Sequence, residues 1–131
     1  MKQDFSKSWK SSKQPRKQRK YRYNAPLHIK GKFLNVHLSK DLKKKYNKRS
    51  IRIRKGDTVK VMKGQFKKVT GKIVSVNLGK CKVTIENVQH IRRDGTKSYY
   101  PIYPSNLIIT NLNLDDKKRK IKLEQNMKKE K

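Results

Sequence analysis

A run of short segments with alternating polar and apolar side chains, from Arg52 to Glu86, most limits how this chain can fold. The alternation covers Asp57 to Val61, Lys72 to Val76 and Lys82 to Ile85, as in strands with one buried face. Glycines lie between these segments, where the backbone must turn. Short strands at this spacing predict a small β-barrel rather than a parallel sheet. We expect its core to contain Val59, Val61, Ile73, Val83 and Ile85.

The net charge limits the partners of the chain. The 131 residues include 38 Lys and Arg against 9 Asp and Glu, which gives a formal net charge of +29. A monomer this basic repels itself, and a polyanion offers matching charge density, so nucleic acid is the leading candidate and no homo-oligomer is expected. An anionic membrane surface is a weaker candidate, because no broad apolar helix face and no membrane anchor can be found. With Cys81 alone, no internal disulfide forms, which fits a reducing compartment.

Composition and hydrophobic pattern divide the chain into four parts. Residues 1–24 form a basic N-terminal arm, 25–50 a short helical segment, 51–112 the barrel and 113–131 a basic C-terminal tail. The first 50 residues carry 17 Lys and Arg against 2 acidic residues, so about half of the net charge lies where little can be buried. We expect no stable fold of the isolated arm, and we favour its ordering on RNA over an import signal or a solvated tail.

Two short helices are predicted before the barrel. Asn24 is a candidate cap for a helix over Leu27 to Phe33. Ser39 is a candidate N-cap for a second helix over Lys40 to Asn47. Three apolar residues at a spacing of four predict a narrow stripe that packs on the barrel: Leu38, Leu42 and Tyr46.

The second half of the barrel is predicted to contain a hairpin and a closing strand. Strands over Asn87 to Arg92 and Lys97 to Tyr100 flank Asp94-Gly95, which indicates a two-residue hairpin turn. A single 3₁₀ turn is expected over Ser105 to Leu107. A last apolar strand, Leu107 to Leu112, can close the barrel.

The C-terminal tail is predicted to contribute little to the core. We interpret Asp115-Asp116 as the start of a helix. The apolar residues that follow are too few to specify more than a fraying helix: Ile121, Leu123 and Met127. The packed core should therefore lie near residues 51–112.

Residues suited to catalysis are scarce. His28 and His37 lack local partners for a metal, and stacking on RNA or capping a turn suits them better. Cys81 is expected in a strand as a buried or half-buried side chain. We therefore predict no catalytic residue, no metal site and no cofactor, and the chain is not expected to be an enzyme.

RNA contact is predicted for the arm and for the basic residues around the barrel loops. Arg grips phosphates, and both Arg and Tyr can stack on exposed bases. In the arm the candidates are Arg16, Lys17, Arg19, Lys20, Arg22 and Tyr23. In the barrel and its approach they are Arg49, Arg52, Arg54, Lys63, Phe66, Lys67, Lys68 and Lys72. The loop after Val61 is expected to hold out its lysines together with the Phe66 ring.

A family resemblance covers roughly residues 8–120. Gly56-Asp-Thr-Val-Lys-Val61, Gly64-Gln-Phe66 and Gly71-Lys72 resemble the KOW motif. With the flanking segments, the chain is similar to the universal large-subunit ribosomal protein number twenty-four, called twenty-six in eukaryotes, in its archaeal and eukaryotic branch. Those segments are Lys17 to Lys20, Asn24 to His28, Leu38 to Leu42, Tyr46, Arg49-Ser50, Arg54 to Asp57, Asp94-Gly95, Pro101 to Asn106 and Leu112 to Lys118.

The resemblance implies a mainly β fold: a small SH3-like barrel, the KOW domain, with a basic, partly helical N-terminal extension and a basic C-terminal tail. It also implies a structural constituent of the large ribosomal subunit, located in cytoplasmic ribosomes. Members bind the 5′ region of large-subunit ribosomal RNA near the peptide-tunnel exit, beside neighbouring ribosomal proteins, and take part early in subunit assembly. The family usually has a glycine where this chain has Lys68.

Two other functions compete with this one. A KOW-bearing transcription or chromatin-associated factor would share the core motif, but such proteins usually bring further domains. An RNA hydrolase would need a base, a nucleophile or a metal site, and the sequence supplies no convincing set.

Overall fold

The computed structural model describes residues 5–9 and 12–128, and for residues 126–128 the backbone only. Within this part of the chain, strands outnumber helices, and the elements follow one another with short connections. In order they are α1 (Pro15–Asn24), α2 (Leu27–Phe33), β1 (Asn35–Leu38), α3 (Lys40–Tyr46), β2 (Ser50–Arg52), β3 (Thr58–Val61), β4 (Thr70–Asn77), β5 (Lys82–Ile85), β6 (Gln89–Ile91), β7 (Lys97–Tyr99), a 3₁₀ turn (Pro104–Asn106), β8 (Leu107–Asn111) and α4 (Lys117–Lys128).

The main sheet is mixed and has six strands in the order β2-β1-β8-β3-β4-β5. The β1–β8 pair is parallel and the other pairs are antiparallel. A separate two-stranded sheet contains β6 and β7. The predicted mainly β class is confirmed. The arrangement is compatible with a small barrel, and its SH3-like detail stays a prediction, as does the division into four parts.

The three central strands confirm the sequence pattern closely. Val59 and Val61 on β3 are 0% and 1% exposed, and Ile73 on β4 is 2% exposed. Val83 and Ile85 on β5 are fully buried. Each such side chain stabilises the fold by about 1.5–3 kcal/mol relative to an exposed position. All five predicted core residues therefore lie in the core.

Strand β1 was not predicted. Its short sequence places Val36 and Leu38 on one face, 0% and 1% exposed. It lies between β2 and β8, which are separated by more than 50 residues along the chain. The segment expected to be helical thus also supplies a strand of the main sheet, and Leu38 reaches the core from that strand.

The two helices before the barrel agree with the prediction in position but not in every cap. Helix α2 has Pro26 as its N-cap, and Asn24 is the last residue of α1, so the prediction that Asn24 caps α2 is wrong. The Oγ of Ser39 accepts a hydrogen bond from the amide of Leu42 at 3.3 Å, which confirms Ser39 as the N-cap of α3. This helix ends at Tyr46, because Asn47 adopts a left-handed conformation with φ +45°.

The N-terminal arm contains a helix that the sequence analysis did not anticipate. None of the residues of α1 is buried. The ring of Tyr21 packs 4.9 Å from that of Phe5, 5.7 Å from that of Trp9 and 6.2 Å from that of Phe33. These aromatic contacts connect α1 to α2, so the arm is tied to the protein by one aromatic cluster.

The β6–β7 hairpin forms where it was predicted, with a different turn. Arg92 donates its amide to the carbonyl of Thr96 at 2.9 Å, and the amide of Gly95 donates to the carbonyl of Arg92 at 3.0 Å. Three residues therefore connect the last bonded pair, and not the two expected. Gly95 has φ +82°, as a three-residue hairpin loop requires at its last position.

The C-terminal tail packs on the rest of the protein. Asp116 accepts a hydrogen bond from the amide of Lys118 at 2.9 Å, which confirms the predicted helix start. Leu123 is 1% exposed within the main core, whereas Ile121 is 52% exposed. The expectation of a fraying helix outside the core is wrong at Leu123, while the side chain of Met127 lies outside the described residues.

Candidate nucleic-acid interface

The loop between β3 and β4 has a well-defined backbone and exposed lysines. The amide of Lys68 donates to the carbonyl of Val61 at 2.9 Å, and the amide of Lys67 donates to that of Gly64 at 3.1 Å. Lys68 has φ +74° and Gly64 has φ +94°. A side chain in this region of φ costs about 1 kcal/mol or more, so the loop keeps its shape despite strain at Lys68. The side chains of Lys63, Lys67 and Lys68 are exposed.

The ring of Phe66 is half-buried and packs against the core, instead of projecting with the lysines. Its centroid lies 5.4 Å from that of Tyr100. The exposed rings beside this loop are Tyr100 and Tyr103, and the ammonium of Lys82 lies 4.9 Å from the Tyr103 ring. Sequence reasoning missed both tyrosines as stacking candidates, although both lie in the quoted family segments or directly before them.

The arm candidates lie on α1. Gln18 and Tyr21, three residues apart, are the half-buried positions of this helix, so its other sides carry the charge. The guanidinium of Arg22 lies 5.5 Å from the Phe33 ring, while Tyr23 is 83% exposed. The remaining arm candidates are exposed: Arg16, Lys17, Arg19 and Lys20.

Arg52 and Arg54 lie in a groove between α2, β2 and α4, with a volume of about 600 Å³. The guanidinium of Arg52 lies across α2 at Gly31, where a Cβ atom would be 2.7 Å from it. Arg54 forms an ion pair with Asp116, whose pKa this hydrogen bond holds below its usual range.

Several cations of this groove were not among the candidates. Lys48, Lys118 and Lys122 line it together with Lys32 and Arg52. Partial burial lowers the pKa of Lys48, and the positive charge of Lys122 lowers it further. The i, i+4 spacing of Lys118 and Lys122 was a visible signal, but it indicates one helix face without showing what that face meets.

A buried ion pair fixes α4 against the start of β3. Asp57 is 0% exposed and Arg119 is 5% exposed. The guanidinium donates to both carboxylate oxygens of Asp57 at 2.6 and 2.8 Å, and to the carbonyls of Asn113 at 2.8 Å and Arg52 at 3.3 Å. The amides of Arg54 and Asn113 donate to the same carboxylate at 2.8 and 2.9 Å. This cluster positions one wall of the groove.

The other two predicted cations are also at the surface. Arg49 precedes β2 and Lys72 lies on β4, and both are exposed. The structure thus brings Arg52 and Arg54 into one groove, and places the arm and loop candidates on α1 and the β3–β4 loop. Contact with RNA stays a prediction for every one of them.

No group of three or more His, Cys, Asp and Glu among the described residues could hold a metal ion. His28 is exposed on α2, and His37 is half-buried on β1. Cys81 lies in the turn before β5 with φ +51°, so its predicted place in a strand is wrong, while its half-buried state agrees with the prediction.

The helices in the described part of the chain were also compared with the length and hydropathy that a membrane span requires. None of them is both long enough and apolar enough to cross a bilayer.

A mainly β scaffold with exposed cations on a loop, a helix and a groove defines a basic binding protein of the nucleic-acid-binding class. The model of the family that unites the eukaryotic ribosomal proteins L26 with their archaeal counterparts matches residues 12–126. The chain belongs to this family, whose members are structural and not enzymes. The resemblance found from the sequence is thereby confirmed, and the assignment favours it over a transcription factor or an RNA hydrolase.

Individual archaeal relatives agree with the family assignment. The protein named "Large ribosomal subunit protein uL24" of Methanothrix thermoacetophila is 53% identical over 108 residues, which cover 82% of this chain and 93% of the relative. The proteins of the same name from Methanosphaera stadtmanae and Methanosarcina barkeri are 47% and 50% identical over 108 residues, with 92% and 93% of each relative covered.

Proposed function

We propose that this chain binds the 5′ region of large-subunit ribosomal RNA near the peptide-tunnel exit and supports early assembly of the subunit. The chain is a structural constituent of the large ribosomal subunit, and it works in cytoplasmic ribosomes beside neighbouring ribosomal proteins. The family assignment and the name shared by its relatives support this role. The tunnel-exit position and the assembly role come from the family resemblance.

The observation that carries RNA binding is the excess of unpaired cations. Among the described residues, Arg54 and Arg119 are the only Lys or Arg side chains in ion pairs with acidic groups. The other cations have no internal acid to neutralise them. A folded RNA supplies a dense array of phosphates, and binding then releases the counterions held by both partners.

The salt dependence of affinity tests this mechanism. If about ten phosphates are contacted, the log–log slope of affinity against salt should be roughly −7 to −9. Filter binding of the whole chain to a transcript of the 5′ region measures it. A slope near zero would contradict phosphate neutralisation, and equal affinity for an unrelated folded RNA would contradict recognition of this region.

The β3–β4 loop provides a sharper test. The double substitution Lys67→Glu with Lys68→Glu should weaken RNA binding at least 15- to 30-fold at about 0.15 M salt, since two phosphate contacts are lost. Melting should change little, because both side chains are exposed. Lys40→Glu with Lys44→Glu on α3 makes the same charge change elsewhere and serves as the matched control. Equal binding by the loop and control variants would remove the loop from the interface.

Position and assembly need tests in cells. Crosslinks from the chain should map to the 5′ region of the RNA, close to the tunnel exit. Depletion of the chain should accumulate early large-subunit precursors in a sucrose gradient. Crosslinks concentrated elsewhere, or depletion that stalls only late particles, would contradict these two parts of the proposal.

A further inference from the structure

The groove between α2, β2 and α4 holds more positive charge than its own acidic groups neutralise. Of the cations that line it, Arg54 and Arg119 are paired with Asp116 and Asp57. The others have no acidic partner among the described residues: Lys32, Lys48, Arg52, Lys118 and Lys122. Concentrated like charge of this kind is unfavourable in the free protein and favourable against an anion.

Glycine at position 31 allows one of these cations to lie in a defined place. Gly31 is buried inside α2, where glycine costs about 1 kcal/mol relative to alanine. The guanidinium of Arg52 occupies the space that a Cβ atom would need, at 2.7 Å. Arg52 therefore lies against the helix backbone, and less side-chain freedom is lost when it binds a ligand.

The opposite wall is held in place by the core. On α4, Arg119 is bound to Asp57 and Leu123 is buried, which fixes one face of the helix. Lys118 and Lys122 lie one turn apart beside that face and line the groove. The cations of two distant parts of the chain thus form one surface because α4 is docked.

We propose that this groove binds a segment of RNA phosphate backbone, so that the C-terminal helix is an RNA-contacting element of the protein. The proposal rests on the function proposed above. None of the described side chains lining the groove is Phe, Tyr or Trp. The groove consequently offers cations for phosphates and no stacking platform for bases, and its contribution should be independent of base identity.

The test compares two pairs of lysine substitutions in the full chain. Lys48→Gln with Lys122→Gln should weaken binding to a transcript of the 5′ region about 15- to 30-fold at about 0.15 M salt, and should reduce the salt slope by about 1.4–1.8. Lys40→Gln with Lys44→Gln removes the same charge from α3, outside the groove, and is the matched control. The melting temperature of the groove variant should not fall, because the substitution removes repulsion between Lys48 and Lys122.

A second pair and a footprint complete the experiment. Lys32→Gln with Lys118→Gln should reproduce the loss of affinity, and RNA should protect Lys48 and Lys122 from acylation more than Lys40 and Lys44. Groove variants that bind like the control, or groove lysines that stay reactive in the complex, would overturn the inference while wild-type binding upholds the proposed function. A wild-type chain that does not bind the transcript would refute the proposed function itself.

Discussion

Substitution of Arg119 by methionine tests whether the buried ion pair holds α4 on the sheet. Arg119 is the counter-ion of Asp57, a carboxylate with 0% exposure. Breaking a buried pair by removing one partner costs about 3–5 kcal/mol, because the remaining charge stays desolvated. Two backbone amides still donate to Asp57 at 2.8 and 2.9 Å, which favours the lower limit. We therefore expect a loss of about 3 kcal/mol in the free energy of unfolding.

Urea unfolding at constant ionic strength measures this loss, and thermal unfolding should show a decrease of about 10 °C in Tm for a chain of this size. Methionine keeps much of the volume, so the change isolates the lost charge and hydrogen bonds. Lys120→Met changes an exposed neighbour on the same helix and should stay within about 0.5 kcal/mol of wild type. If Arg119→Met came within about 1 kcal/mol of this control, the pair would not hold the helix.

Three further predictions follow from single contacts. Lys68→Gly should raise the free energy of unfolding by up to about 1 kcal/mol, since glycine adopts φ +74° without strain; a decrease in Tm would contradict this. Gly31→Ala should displace the guanidinium of Arg52 and lower RNA affinity about fivefold without lowering Tm, and unchanged affinity in filter binding would contradict it. Because Arg54 lowers the pKa of Asp116, the pair stabilises the fold above the unfolded pKa of about 3.9 and loses this effect as the pH falls through the folded pKa. The difference in urea-unfolding free energy between wild type and Asp116→Asn should accordingly be constant near neutral pH and disappear in acid; a difference that persists at a pH of about 2 would contradict it.

Local patterns predicted those elements whose signal lies within a few residues. The strand Lys82–Ile85 was predicted with its exact bounds, because alternation of buried and exposed side chains is a property of the strand itself. The N-cap at Ser39 was equally local, since its hydrogen bond spans three residues. Strand β1 was missed, as only two of its residues are buried and its partners come from other parts of the chain.

The candidate interface was predicted to the same extent. Exposure of the arm and loop cations follows from composition, because a chain with so few acidic residues cannot pair them. The groove could not be predicted, since it needs α2, β2 and α4 side by side. In the sequence Arg119 is one of many cations of the tail, and only its contact with Asp57, 62 residues away, makes it a structural residue.

The amino-acid sequence by itself determined the excess of positive charge, the alternating core strands and the family to which the chain belongs. These are sums or local patterns, and they do not depend on how distant segments meet. Tertiary structure alone decided which cations are neutralised inside the protein, which are gathered into the groove, and that the C-terminal helix is docked. Burial and Coulomb interactions depend on distances in space, and those distances exist only once the chain has folded.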